Sequence, residues 1–161
     1  MEKQDFFSKL KASKALELVN PSEEICSSYL EKSEACIKSA TLLLNNDLYE
    51  NSISMSYYAM YNSLTALLFK IGIKCENHSG SILLLQKLFN RPDLFKTISF
   101  AKDERIDKQY YVSSKKNVGV IKDSAHDMVS KAENFVIQLK LIIKNLGNED
   151  IETLRKRFKL I

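Results

Sequence analysis

Two histidines, His78 and His126, are the chain's whole supply of imidazole. Any histidine-dependent acid–base chemistry must therefore run through one of them. His126 sits beside the apolar stripe of a long helical segment and reads as a surface or helix-packing residue. His78 lies in the polar run Asn77-His78-Ser79-Gly80, just ahead of a helix. Side chains and backbone N–H groups at such a helix start can hold a phosphate. Equally, Asn77 or Ser79 can cap the helix with His78 packed beside it. A second group is Arg105, Lys108, Tyr110 and Tyr111. Arginine grips phosphate through parallel donors, and tyrosines stack bases, so this group suits RNA. The alternative is an Arg105 paired with Glu104 or Asp107 that ties helices together. A third group, Tyr57, Tyr58 and Tyr61, has helical spacing and is read as core or, between copies of the chain, as a dimer interface.

Several chemistries are excluded by what is missing. Cys75 and His78 have a metal-like spacing, but no second pair accompanies them, and a structural zinc site needs four ligands. No metal is expected. Glycine-rich phosphate loops, a Ser-His-Asp arrangement and a Glu-x-x-His pair are all missing from the sequence, so no cofactor is expected either. The three cysteines, Cys26, Cys36 and Cys75, are an odd number without a close pair, and no apolar leader opens the chain. Both point to a reduced, cytoplasmic setting. No apolar run reaches the length of a membrane span.

Positioning these residues falls to helices. The 161 residues fit one domain, and 45% hydrophobic content supports a real core. Only 4 glycines and 2 prolines punctuate it, too few for an all-β or α/β chain. Periodicity predicts a first helix over 4–18 that stops at Asn20-Pro21, with Asn20 capping the next. A second helix runs from about Pro21 to Asn45 and a third from about Tyr49 to Gly72. The third carries both the stripe Ile53, Tyr57, Met60, Tyr61, Leu64, Leu68 and a strip of small residues at Ser56, Ala59, Ser63 and Ala66. Apolar cover on two faces predicts a central helix, or one with a face held back for a partner subunit. A loop, Ile73–Ser79, leads to a shorter helix over Ser81–Phe89. Residues 93–121 are read as irregular, with short helical pieces at Leu94–Ser99 and Asp103–Tyr110 and a mobile loop at 113–117. Lys122–Leu146 is the clearest amphipathic helix. Gly147 ends it, and Asn148 caps a basic tail helix ending at Arg155–Lys159, read as a solvated end. The expected fold is all-α: an antiparallel four-helix-type bundle with extra helices at both ends.

Charge is unevenly placed. The formal net charge is +4, while residues 70–122 hold 11 Lys/Arg against 5 Asp/Glu, leaving the remainder slightly acidic. A solvated lysine-rich region and a weak polyanion-facing surface both fit this pattern.

Four stretches together resemble the HEPN domains, in their branch of small stand-alone prokaryotic (UPF0332-like) proteins. They are Ser56-Tyr57-Tyr58-Ala59-Met60-Tyr61, then His78-Ser79-Gly80, then Arg105 followed by Gln109-Tyr110, then Ala132-x-x-Phe135-Val136. The similarity covers roughly residues 22–146. The resemblance implies a helical bundle that pairs as a homodimer, with a small nucleotidyltransferase as its antitoxin partner and RNA as its target. Toxic members are metal-independent ribonucleases with an Arg followed, after four to six residues, by His. The permitted positions after Arg105 hold Tyr110, Tyr111 and Val112, so the motif lacks its histidine, which argues against carrying over the nuclease activity. If cleavage occurs, Arg105 would steady the phosphate and His78 or Tyr110 would supply the missing function. Two other readings stand beside this one: a non-catalytic helical adaptor, and a binder of a small ligand such as a nucleotide.

Overall fold

The segment Tyr49–Lys70 carries charge only near its ends, at Glu50 and Lys70, and its middle is serine, tyrosine, alanine and leucine. A helix with so little solvent-facing character is stable only when surrounded. In the computed structural model, which describes residues 2–110 and 118–161 and the side chains of residues 6–106 and 119–161, this segment is the hub. In chain order the elements are α1 (Glu2–Ala12), β1 (Leu16–Leu18), α2 (Glu23–Asn45), α3 (Tyr49–Lys70), β2 (Ile73–Cys75), α4 (His78–Phe89), α5 (Pro92–Tyr110), α6 (Val118–Asn145) and α7 (Asn148–Lys159). Helix α3 packs against α2, α4, α5 and α6. The architecture is the expected all-α bundle, with one small sheet added. No helix among the described residues is long and apolar enough to cross a membrane.

The small-residue strip of α3 meets α2 at close range. Ser33, Ala40, Ser52 and Ala59 are all fully buried between the two helices. Buried hydroxyls need partners, and they find them on the facing backbone. Ser33 Oγ donates to the Ala59 carbonyl at 2.7 Å, and Ser52 Oγ to that of Ala40 at 2.8 Å. The other stripe of α3 supplies Met60, Leu64, Leu67 and Leu68 to the core shared with Phe135 and Leu139 of α6. Each such side chain contributes roughly 1.5–3 kcal/mol by burial.

Several boundaries differ from the expectations. The first helix ends at Ala12, because Lys14 turns the chain with φ 59° and Leu16–Leu18 then pairs antiparallel with Ile73–Cys75. The segment read as a loop before His78 is thus partly a strand. The cap of α2 is Ser22, whose Oγ accepts from the Ile25 N–H at 3.1 Å, in place of Asn20. Residues 92–110 form one continuous helix instead of two short pieces. Pro92 takes its first position, and Arg91 grips Asp93 through two hydrogen bonds of 2.9 and 2.8 Å. Helix α6 starts earlier than expected, at Val118. The loop read at 113–117 lies outside the described residues.

The basic tail is built into the fold. Helix α7 buries Leu154 and Phe158. Arg155 Nη1 donates to the carbonyls of Val19, Ile71 and Gly72 at 2.8, 3.0 and 2.9 Å. That guanidinium supplies charge-assisted donors to the C-terminal end of α3, where carbonyls lack helical partners. It also pins the chain entering α2.

Candidate functional site

His78 is the first residue of α4, and its backbone is fixed from three directions. The β1–β2 ladder ends one turn before it, pairing Leu16 with Cys75. Asn77 caps the helix, its Oδ1 accepting the Gly80 N–H at 2.8 Å, while its carbonyl accepts the Ser81 N–H at 2.9 Å. Gly80 lets α1 approach: a Cβ there would lie 2.8 Å from Leu10 Cδ1 and 3.1 Å from Cys75 Sγ. Of the two sequence readings of this turn, it adopts the capping one. The Cys75 thiol donates to the Asn77 carbonyl at 3.3 Å, a second brace on the turn.

The imidazole is held by tyrosines from α3. It stacks on Tyr61 with ring centroids 3.8 Å apart and planes 15° from parallel. Its Nδ1 is 2.8 Å from the Tyr57 Oη. Tyr57 is fully buried, and burial pushes its hydroxyl well above the ordinary range, against the opposing pull of the Arg105 charge. Burial also lowers the His78 pKa, and the nearby charges of Arg105 and Lys102 lower it further. A protonated phenol facing a neutral imidazole donates to it, so Nδ1 is assigned as acceptor and Nε2 as the protonated nitrogen.

Arg105 reaches the same tyrosines from α5. Its Nη1 donates to Tyr58 Oη at 3.0 Å, and its guanidinium carbon lies 5.0 and 5.4 Å from the ring centres of Tyr57 and Tyr58. These are cation–π distances. Tyr57 therefore stands between His78 and Arg105 and brings the two expected site residues into one group. Lys102, one turn earlier on α5, donates to Ser79 Oγ at 2.6 Å and closes the group on its other side. Cations and aromatics are thus gathered on one half-buried patch formed by α3, α4 and α5.

The remaining expected residues fall elsewhere. The side chains of Lys108 and Tyr110, and the whole of Tyr111, lie outside the described residues. His126 is exposed on α6. Tyr57, read as core or dimer interface, is fully buried in its own chain, which is the core reading and leaves it no surface for a second copy. Tyr58 and Tyr61 are only partly buried. Lys102 was not singled out from sequence, although it falls three residues before Arg105, on the same helix face; Ser79, read there as a phosphate-holding or capping residue, instead accepts from Lys102.

The lowered His78 pKa has a consequence for stability. Between its folded value and the unfolded value near 6.5, the unfolded chain binds more protons, so stability rises with pH through that window and is fully present above it. Thermal unfolding at about pH 7.5 and about pH 5.5 should show the protein weakened at the lower pH. In His78→Gln that difference should shrink. An unchanged difference would mean that the imidazole titrates as freely in the fold as in water.

The HEPN domain family profile matches residues 26–142. A UPF0332 protein of Thermotoga maritima is 25% identical over 140 residues, which cover 80% of this chain and 98% of that one. A UPF0332 protein of Archaeoglobus fulgidus is 30% identical over 115 residues, covering 69% of this chain and 89% of the relative. A Methanocaldococcus jannaschii protein, MJ0142, whose name marks it as a candidate toxin, is 27% identical over 124 residues, covering 73% and 82%. The matched span takes in α3, α4 and α5 whole, so the patch of tyrosines, His78 and Arg105 lies inside it. This chain belongs to the HEPN domain family.

Proposed function

We propose that this chain is a toxin-like HEPN component that binds RNA through Arg105, Lys102 and His78 and works beside a nucleotidyltransferase partner, as a cytoplasmic homodimer. The observation that carries the reading is the convergence of Arg105, Lys102 and His78 with three tyrosines on one patch. Such a patch offers charge-assisted donors for phosphate oxygens and, at the partly exposed Tyr58 and Tyr61, aromatic surface for unpaired bases. Relatives whose names mark them as candidate toxins support the biological setting. Tyr58 and Tyr61 have surface left with which to meet a second copy.

Cleavage, if the patch performs it, needs no metal. The ribose 2′-oxygen attacks phosphorus while the bond to the 5′-oxygen breaks. A base takes the 2′-hydroxyl proton, and an acid returns one to the leaving oxygen. Arg105 would stabilise the phosphate charge. Neutral His78 in its assigned tautomer donates a hydrogen bond from Nε2–H to a phosphate or leaving oxygen and can serve as the acid only as the imidazolium; Tyr110 is the second candidate for a proton-transfer role.

The test is RNA binding and cleavage in the presence of chelator, with wild type, Arg105→Ala and His78→Ala side by side and folding checked by circular dichroism. Arg105→Ala should bind RNA about 10- to 100-fold more weakly, as expected when charge-assisted hydrogen bonds are removed. Its salt dependence should also flatten, by roughly 0.7 in log–log slope for each single-strand phosphate that is no longer neutralised. Folded Arg105→Ala that binds as wild type, or a folded wild type that binds no RNA, would favour the non-catalytic adaptor reading.

A further inference from the structure

Next to the patch, α4 and α5 leave a cleft of about 250 Å3 between them. Pockets for drug-sized ligands usually run to about 300–1,000 Å3, so this one suits a single ring system. Its walls are apolar: Ile82 and Leu83 from α4 and Phe95 from α5. Its polar lining is specific. Lys102 and Ser79, hydrogen-bonded to each other, are both part of it, and so is Asp103.

Two neighbour relations tie this cleft to the RNA-binding patch. Ser79 follows His78 directly, and Lys102 precedes Arg105 by three residues, which places their Cβ atoms about 5–6 Å apart on one helix face. The cleft mouth is therefore within reach of a strand whose phosphate rests on Arg105. Phe95 lies seven residues before Lys102, about 10 Å along the helix axis. The arrangement has a cationic end and an aromatic wall, the two surfaces a single nucleotide presents in reverse.

Resting on the RNA-binding reading, we infer that the cleft takes the base of one unpaired nucleotide, with guanine preferred. Phe95 supplies the stacking surface, as aromatic side chains do for splayed-out bases in single-stranded RNA. Asp103 sets the preference. An ionised carboxylate has two acceptor oxygens and no donor. Guanine presents two adjacent donors, N1–H and the N2 amino group, on its Watson–Crick edge. Uracil presents one donor flanked by two carbonyl oxygens, which a carboxylate repels.

The experiment measures binding of fluorescent uridine heptamers in chelator: all-uridine, one central guanosine, and one central inosine, which lacks the N2 amino group. Wild type should bind the guanosine oligomer roughly 10-fold more tightly than all-uridine, in line with a bidentate base contact, with inosine between them. Phe95→Ala should weaken the guanosine oligomer roughly 10-fold. Asp103→Asn, an exposed change without risk to the core, should remove the preference and leave all-uridine binding undiminished. Equal binding of the guanosine and uridine oligomers by wild type, or a preference that survives Asp103→Asn, overturns the inference. If binding depends on salt and Arg105 but ignores the base, the cleft inference alone falls. If no oligomer binds and the protein is folded, the RNA-binding reading falls with it.

Discussion

Gly72→Ala should be the most damaging single methyl that can be added to this protein, lowering stability by about 2–5 kcal/mol. Two costs combine. Gly72 has φ +76°, a left-handed conformation that costs an L-residue roughly 1–2 kcal/mol. A Cβ there would also lie 2.4 Å from the Val19 carbonyl oxygen and 2.8 Å from the Pro21 nitrogen, besides 2.1 Å from Arg155 Nη1. The arginine tip can swing away, but the two backbone atoms cannot. They belong to the segment that crosses from β1 to α2, and overpacking of this kind costs about 1–3 kcal/mol. For a chain of this size each kcal/mol corresponds to about 2–4 °C in melting temperature, so a fall of roughly 5–20 °C is expected by calorimetry. Removing the flexible neighbour tests which atoms obstruct the methyl: Gly72→Ala combined with Arg155→Ala should be no more stable than Gly72→Ala alone. Recovery of stability in the double variant would mean that the arginine tip, and not the backbone, is the obstacle.

The same region shows which parts of the fold were legible in the residues. Helices α2, α3, α4 and α6 were, because their apolar residues recur at helical spacing over three turns or more. The strands were not, since each has three residues, too few for an alternating pattern to stand out. Leu16 and Leu18 alternate with Glu17, yet in sequence they look like the end of a helical stripe. Helix α5 was read as fragments because its buried face among the described side chains is Leu94, Ile98 and Ala101, while Asp103 to Lys108 is mostly charged. Those three residues, spaced by four and three, were the available signal. The site was legible as a set of residues but not as a group. A motif search looks for a histidine after Arg105 on the same helix. The histidine that joins Arg105 comes from earlier in the chain, on α4, and the connection runs through Tyr57. The paired residues share no spacing in sequence, so only the packing of α4 and α5 against α3 reveals them.

Tyr57 is consequently the residue at which stability and the site can be separated by experiment. Its ring is fully buried, and truncating a large buried aromatic costs about 3–5 kcal/mol through reduced burial and the cavity left behind. Tyr57→Ala should therefore approach the damage of Gly72→Ala. It should also free the His78 ring, which loses the Tyr57 hydrogen bond at 2.8 Å and the support of the ring beneath Arg105. Tyr57→Phe removes only the hydroxyl. The packing stays, and the expected cost is about 1–2 kcal/mol for leaving the imidazole nitrogen without its donor. The hydroxyl stabilises the neutral imidazole, so its loss should move the His78 pKa back up, opposite in direction to the lowering by burial, Arg105 and Lys102. The chain has only two histidines, so an NMR titration can follow His78 individually. A His78 pKa that rises in Tyr57→Phe while the protein stays folded would establish that the hydroxyl sets the protonation state of the imidazole. A pKa that does not move would assign the lowering to burial and the neighbouring cations alone, and Tyr57 would then matter to the patch only as the ring on which His78 and Arg105 are assembled.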